Sequence, residues 1–424
     1  MARIVAWIAV IGFGVIAIAL IVMMIFGSIA ASRFNQRLDA VRSTGAPMSL
    51  AELARDPIPP EANAAVFLRR ARGDLEAIGK ELNDVYGSEG YRAGFPDASE
   101  LERIRSALEA HPEVVPLLEQ AARSPDSDSE PDYSVGATAF MAGGIERLQE
   151  VPFRSAARLL KARVLLLQSQ GKHEEALESG ILMLRLSRHA EREPTLVAYL
   201  VAQACRGMGV AASNGVLRGG PVPAGVRRRL DTELALHEGV EAFQWAIVSE
   251  RAFGMENWQA IPARNWWPMR IMWDDDQTAY LDMIDQHLAS ASQPYAAVPR
   301  ADPASTAPMG RRAVLTQLAA PAILAARGAR DSALAEIRCL RVLNALQALD
   351  HQGGATEPKL TELGLPIEAT LDPFTGESLK LKKRPDGWLI YAVGQDLIDG
   401  GGDFDQRRDV GVAPLRPPDR TSTD

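Results

Sequence analysis

Charged side chains are absent from Ile4 to Phe26, which reads IVAWIAVIGFGVIAIALIVMMIF, and small residues carry the apolar run on to Ser32. A helix rises ~1.5 Å per residue, so this run is long enough for the ~30 Å hydrocarbon core of a bilayer. Signal peptides have shorter apolar regions, about 7–15 residues, although Ser28 and Ala30 stand where small residues would precede a cleavage site. No helical period gives the run a polar face, which argues against a buried soluble helix. The pattern predicts a retained transmembrane anchor over 1–32, touching the lipid bilayer through residues 4–31. Arg3 precedes it, and Arg33, Arg37 and Arg42 follow. Counted literally, that excess would hold the body in the cytoplasm.

After the anchor the period changes. Residues 33–60, punctuated by Gly45, Pro47, Pro57, Pro59 and Pro60, read as a juxtamembrane stalk. A helical body is expected over 61–293, a linker rich in Pro, Ala and Ser over 294–309, a C-terminal unit over 310–411 and a disordered tail over 412–424. Within the body, Leu68, Leu75, Ile78 and Leu82 recur at helical spacing. The acidic run Ser124–Asp132 reads as a solvated linker, because it lacks the glycine and closing glutamate of a calcium-binding EF-hand loop. Asp274–Asp276 are expected at the start of a helix, where carboxylates suit the positive dipole end. Four tryptophans lie between Trp258 and Trp273. They suit packing against helices and also suit contact with a membrane interface.

The clearest helical block is Phe153–Leu217. Leu159, Leu160, Val164 and Leu167 are followed by the turn Gly171–Lys172, then by Leu177, Ile181 and Leu184. Residues 158–190 resemble a single tetratricopeptide-type repeat, with Gly171 and Ala176 at the small positions. No second copy follows. Leu334, Ile337, Leu340, Leu343 and Leu346 then mark a long helix that packs along its length. Beyond it the period falls to two. Leu379–Arg384 and Trp388–Val393 flank the turn Pro385-Asp386-Gly387, which predicts a β-hairpin. The expected fold class is therefore mainly α: a transmembrane helix, a helical body with a tetratricopeptide-like hairpin, and a small C-terminal α+β module.

Composition narrows the function. The chain carries 46 Lys+Arg against 54 Asp+Glu, a net −8, so a basic face for nucleic acid is not expected. Two cysteines exclude a disulfide scaffold and a Cys-built zinc site. The six histidines stand apart in sequence, and there is no HExxH, no GxSxG and no phosphate-binding glycine loop. Ser169–Lys172 matches SxxK, but across a helix end. No catalytic residue or organic cofactor is assigned, and an enzyme is not expected.

One local cluster does suggest chemistry. Asp396, Asp399, Asp403 and Asp405 surround Gly400–Gly402, with Asp409 just beyond. Hard oxygens on a flexible loop suit Ca2+, and an acidic surface turn neutralised by Arg407 and Arg408 suits the same composition. The run from Ile337 to Gly411 resembles the C-terminus of the major pseudopilin of type II secretion. Its Asp372-Pro373-Phe374 with Gly376, its Tyr391, Gly394 and Asp396, and then Asp399, Asp403 and Asp405 stand where that family has its approach turn, hairpin exit and calcium loop. It also resembles uncharacterised membrane-anchored bacterial proteins that place a helical body before the same ending. The resemblance implies calcium on Asp396, Asp399, Asp403 and Asp405 and an extracytoplasmic setting. The peptidase site and helix glutamate of pseudopilins have no counterpart at Ile4–Phe26, so filament assembly is not expected. The resulting expectation is a single-pass protein of the bacterial inner membrane with its body outside the cytoplasm. Its role would be structural or directed at an unidentified protein partner. A membrane-tethered hydrolase with a site assembled from distant residues, and an accessory of a secretion or pilus system, are the alternatives.

Overall fold

The computed structural model describes residues 2–143, 150–259, 267–298, 314–350, 358–404 and 408–417. Its principal helices are α1 (Ala2–Ser43), α2 (Ala64–Glu81), α3 (Ala98–Ala110), α4 (Val114–Arg123), α5 (Phe153–Ser169), α6 (His173–Ala190), α7 (Leu196–Gly219), α8 (Ala224–Ala235), α9 (Glu241–Gln259), α10 (Trp267–Ala289) and α11 (Val314–Asp350). Three strands, β1 (Lys380–Arg384), β2 (Gly387–Val393) and β3 (Asp409–Val412), form an antiparallel sheet in that order. The molecule is mainly helical, as its periodicity predicts.

Helix α1 is long and apolar enough to cross a bilayer, and none of the side chains in its most apolar stretch is buried by the rest of the chain. It does not stop where the stalk was expected. Residues 33–43 continue the same helix because Phe34, Leu38 and Val41 give them an apolar stripe that packs on α10. Arg37 donates to Asp282 at 2.6 Å and pairs with Asp285, both on α10. Helix α7 is also long and apolar, but most of that stretch is buried, so it is a core helix.

Helices α5, α6 and α7 form the centre of the body. Gly171 closes the α5–α6 turn with φ of +72°, a conformation that glycine adopts without strain. Gly180 lets α7 approach until a Cβ there would collide with Ser213. This is a tight hairpin with a third helix laid on it. Cys205 and Cys339 are buried within the same core, as expected for structural thiols.

The acidic run Ser124–Asp132 is not a solvated linker. Its backbone is knitted to the start of α2: the Asn63 side chain accepts from the Asp128 N–H at 3.0 Å and donates to the Asp128 carbonyl at 2.9 Å. Arg55 pairs with Asp126, and Ser129 donates to the Glu193 carboxylate from both backbone and hydroxyl. Asp274–Asp276 lie two turns inside α10, not at its start, since the helix begins at Trp267. Asp276 is buried and accepts from Thr316 of α11 at 2.7 Å, a tertiary partner that no dipole argument anticipates.

Helix α11 packs on α7 and on the sheet, so the body and the C-terminal unit share one apolar core. Trp388, Ile390 and Ala392 point into it from β2. Asp372 of the approach turn is buried and ties that turn to the sheet, accepting from the N–H groups of Phe374 at 2.7 Å and Val393 at 2.9 Å. Strand β3 extends the expected hairpin by one strand. Residues after it are also held in place: Asn214 of the body donates to the Ala413 carbonyl at 3.0 Å, and Arg416 pairs at 3.6 Å with Asp386 in the β1–β2 turn. The ordered chain therefore reaches past the expected tail boundary at 412, to at least Arg416. Residues 299–309 of the expected linker lie outside the described residues.

Candidate ligand cavity and the aspartate–glycine loop

The loop after β2 folds back over the sheet face opposite α11. Gly402, with φ of +88°, sits against Leu389 so closely that a Cβ would overlap that side chain. The Tyr391 hydroxyl donates to Asp399 at 3.0 Å, and Lys382 donates to the Gly401 carbonyl at 3.0 Å. The centre of the loop is Asp409 at the start of β3, which is 1% exposed. Its carboxylate accepts from the backbone N–H groups of Gly400, Gly402 and Asp403, at 3.2, 2.7 and 3.0 Å. Gly400, Gly402 and Asp403 thus form a nest of N–H donors around a carboxylate of the same chain.

Three of the four aspartates expected to bind calcium are described. Asp396 accepts from the Ile398 N–H at 3.1 Å, and Asp399 accepts from Tyr391 and the Gly401 N–H and lies 3.5 Å from Lys380. The Asp403 carboxylate lies 4.0 Å from Arg408. Asp405 lies outside the described residues. Among the described residues, no three His, Cys, Asp or Glu side chains are grouped closely enough to share a metal ion.

A different site assembles from residues far apart in sequence. Where the C-terminus of α6, the first half of α7, the α8–α9 junction and α11 meet, they leave a cavity of about 490 Å³. Five arginines line it, Arg55, Arg188, Arg192, Arg206 and Arg330, against two glutamates, Glu191 and Glu241. Carboxylates behind the wall hold the outer arginines. Asp126 pairs with Arg55, Glu233 accepts from Arg188 at 2.8 Å, and Asp331 accepts from Arg330 at 2.7 Å.

The inner wall is less completely paired. The side chain of Arg206 is 5% exposed. It pairs with Glu191 and donates to Gln203 at 3.0 Å, while its Nε has no partner. His237 has a side chain with no exposure at all, and neither Nδ1 nor Nε2 makes a hydrogen bond. Its nearest carboxylate oxygen, on Glu233, is 3.8 Å from Nε2, too far for a good hydrogen bond. Burial, with Arg206 and Arg188 nearby, pushes the His237 pKa well below its usual value and keeps the ring neutral. His189, also on the wall, is held at about 4 mainly by burial. Next to the cavity, the buried Asp331 carboxyl is pushed up to about 6 despite Arg330 and Arg327, because desolvation outweighs them.

Leaving a buried donor or acceptor unpaired costs about 1–3 kcal/mol. Three such atoms, the Arg206 Nε and both His237 nitrogens, belong to two residues that line one cavity, which is a physical reason to look for a polar ligand there. The sequence carries a faint trace of it. Arg206 is the one charge in the interior of the otherwise apolar and small-residue helix α7. His237 carries no local signal, because the charged groups that surround it include Arg188 of α6 and Arg206 of α7, distant along the chain. The SxxK match has no such support, since the Ser169 hydroxyl donates to the Leu166 carbonyl at 2.7 Å as an ordinary helix-end residue. No protein-family model, curated protein or solved structure matches this chain.

Proposed function

We propose that this chain is a membrane-anchored binding protein whose cavity takes a small anionic molecule, a carboxylate or a phosphate ester. One observation carries the reading: Arg206 and His237 are buried at the wall of a 490 Å³ cavity with polar atoms left unpartnered. A guanidinium suits a planar anion, and a neutral imidazole offers one donor and one acceptor to the rest of the molecule. The tether is α1, whose apolar surface between Ile4 and Ile29 is left to a bilayer. The address proposed with it is the bacterial inner membrane with the body outside the cytoplasm. That choice of side rests on the pseudopilin-like ending, and the tetratricopeptide-like α5–α6 hairpin serves here as scaffold for the cavity.

A hydrolase is the second reading. It is favoured by the gathering of His189, His237, Glu191 and Glu241 into one cleft. Binding is preferred because burial strips both imidazoles of the basicity that a general base near neutral pH requires. Among the described residues, no serine, threonine or cysteine lines the cavity.

The test is thermal unfolding and calorimetry of the full chain in nanodiscs, against mono- and dicarboxylates and phosphate esters. Saturable binding that Arg206→Gln weakens is expected. Equal binding by wild type and Arg206→Gln, or none by a folded protein across the panel, would overturn the proposal. Turnover of a bound ester would favour the hydrolase.

A further inference from the structure

Helix α10 runs parallel to α1. Ile271 lies against Gly27, where a Cβ would sit 3.2 Å from its side chain, and Asp282 and Asp285 lie against Arg37. Ten residues along α1 thus match eleven to fourteen along α10. Helical rise then sets the height of the rest. Trp267, four residues before Ile271, stands about 6 Å further toward the membrane, level with about Met23 of α1. That level is inside the apolar run that ends at Phe26.

The two helices also change character together. In α1 the apolar run gives way to Gly27 and Ser28, and the first charge is Arg33. In α10, Trp267–Trp273 contains one charge, Arg270, and then Asp274, Asp275 and Asp276 follow directly. By the register above, Asp274 is level with about Ala30. Between the helices lies an open groove of about 250 Å³, walled by Met24, Gly27, Ser28 and Ala31 of α1 and by Arg270 and Ile271 of α10. The Arg270 side chain, 3.7 Å from the Asp274 carboxylate, is 63% exposed at its rim. An apolar groove with a cation at the mouth fits an acyl chain below an anionic headgroup.

We propose that the first two turns of α10, Trp267–Trp273, lie in the interfacial layer of the bilayer that α1 crosses, so that the body touches lipid at a second point. Tryptophan is favoured in that layer, and the half-buried Asp275 that follows would be repelled by anionic headgroups, which limits the depth. Helix α10 also packs on α9 and α11. Two contacts on rigid, mutually packed helices fix the tilt of the body, which one flexible tether would not do. The inference rests on the reading of α1 as a spanning helix, and the experiment separates the two.

A fluorophore is attached to single cysteines in the full chain, at Arg270→Cys, Gln286→Cys and Ile18→Cys. The native Cys205 and Cys339 are buried and do not compete for label. Ile18, Arg270 and Gln286 are exposed, so the substitutions spare the core. The chain is placed in liposomes of phosphatidylcholine and phosphatidylglycerol carrying a nitroxide quencher near the headgroup or deep in the acyl chain. The expected result is strong quenching of 270 by the shallow quencher, of 18 by the deep one, and of 286 by neither, since 286 stands about 24 Å further along the helix. Quenching at 18 with 270 as bright as 286 would overturn this inference and leave the anchor intact. No quenching at 18 would overturn the anchor, and the inference with it.

Discussion

The aspartate–glycine loop and the arginine-lined cavity are both dense in charge, and they differ in what their polar atoms lack. In the loop, the buried Asp409 carboxylate is met by near neighbours, the N–H groups of Gly400, Gly402 and Asp403. In the cavity, residues between Arg55 and Leu334 converge, yet the Arg206 Nε and both nitrogens of His237 remain unpaired. The loop is conspicuous along the chain and closed in space. The cavity is nearly invisible along the chain and open in space. A cluster of ligand-type residues is therefore weaker evidence for a ligand than a buried polar atom with nothing to bond.

The largest effect expected is on the loop. Asp409→Ala leaves three buried or half-buried N–H groups without an acceptor and uncovers Leu389 and Tyr391, so it should cost about 3 kcal/mol in urea unfolding. A cost below about 0.5 kcal/mol would show that the nest is not what holds the loop. Next comes the cavity. Arg206→Gln should weaken a bound anion by about 100-fold in calorimetry, the loss typical of a buried charge-assisted contact.

His237→Leu sharpens the contrast. Two unpaired nitrogens are exchanged for an apolar side chain, so stability should rise by about 1 kcal/mol while ligand affinity falls. A loss of stability would mean that the imidazole is satisfied in the unliganded protein and that the cavity argument fails.

A smaller effect should follow pH. The buried Glu193 carboxyl, against Ser129 in the acidic run, is raised from the carboxylate range to about 7 by desolvation. Its folded pKa lies above its unfolded one. Its contribution is thus fully present below about pH 4.5 and is lost as pH rises through 7. Glu193→Gln should therefore gain stability relative to wild type between those limits. His189 acts in the opposite sense. Its folded pKa is depressed to about 4, so its contribution is present above 6.5 and is lost as pH falls. Wild type alone would mix the two, which is why the difference between variants is the quantity to follow. A difference that does not change with pH would place Glu193 in water.

The smallest effect is expected at Asp396, whose carboxylate accepts one local, exposed N–H. Asp396→Ala should change stability by less than about 0.5 kcal/mol. Calcium sharpens the same point. With these carboxylates engaged as described, millimolar calcium should move the unfolding midpoint by less than about 1 °C. A larger rise, abolished by Asp396→Ala with Asp403→Ala, would restore the calcium reading of Asp396, Asp399, Asp403 and Asp405.

Much of the fold was legible because it depends on periods. The 23 apolar residues of Ile4–Phe26, the leucines of α5 and α6 and the alternation at Leu379–Arg384 each specify an element locally, through the geometry of one helix or strand. The same locality explains the misreadings. Ser124–Asp132 has the composition of a solvated linker, and only Asn63, Arg55 and Glu193, distant along the chain, bury it. Strand β3 is four residues long and pairs with β2 across the loop, so it has no period of its own to detect.

By itself, then, the chain determined the apolar helix, the helical character of the body and the hairpin, because hydrophobic spacing acts over a few residues at a time. Tertiary structure decided which polar groups were left over. Whether Asp409 is free to hold an ion, or Arg206 and His237 are free to hold a ligand, depends on the neighbours that packing brings within about 3 Å. Those neighbours lie as far apart in sequence as Arg55 and Arg330, and no pattern along the chain encodes the distance between them.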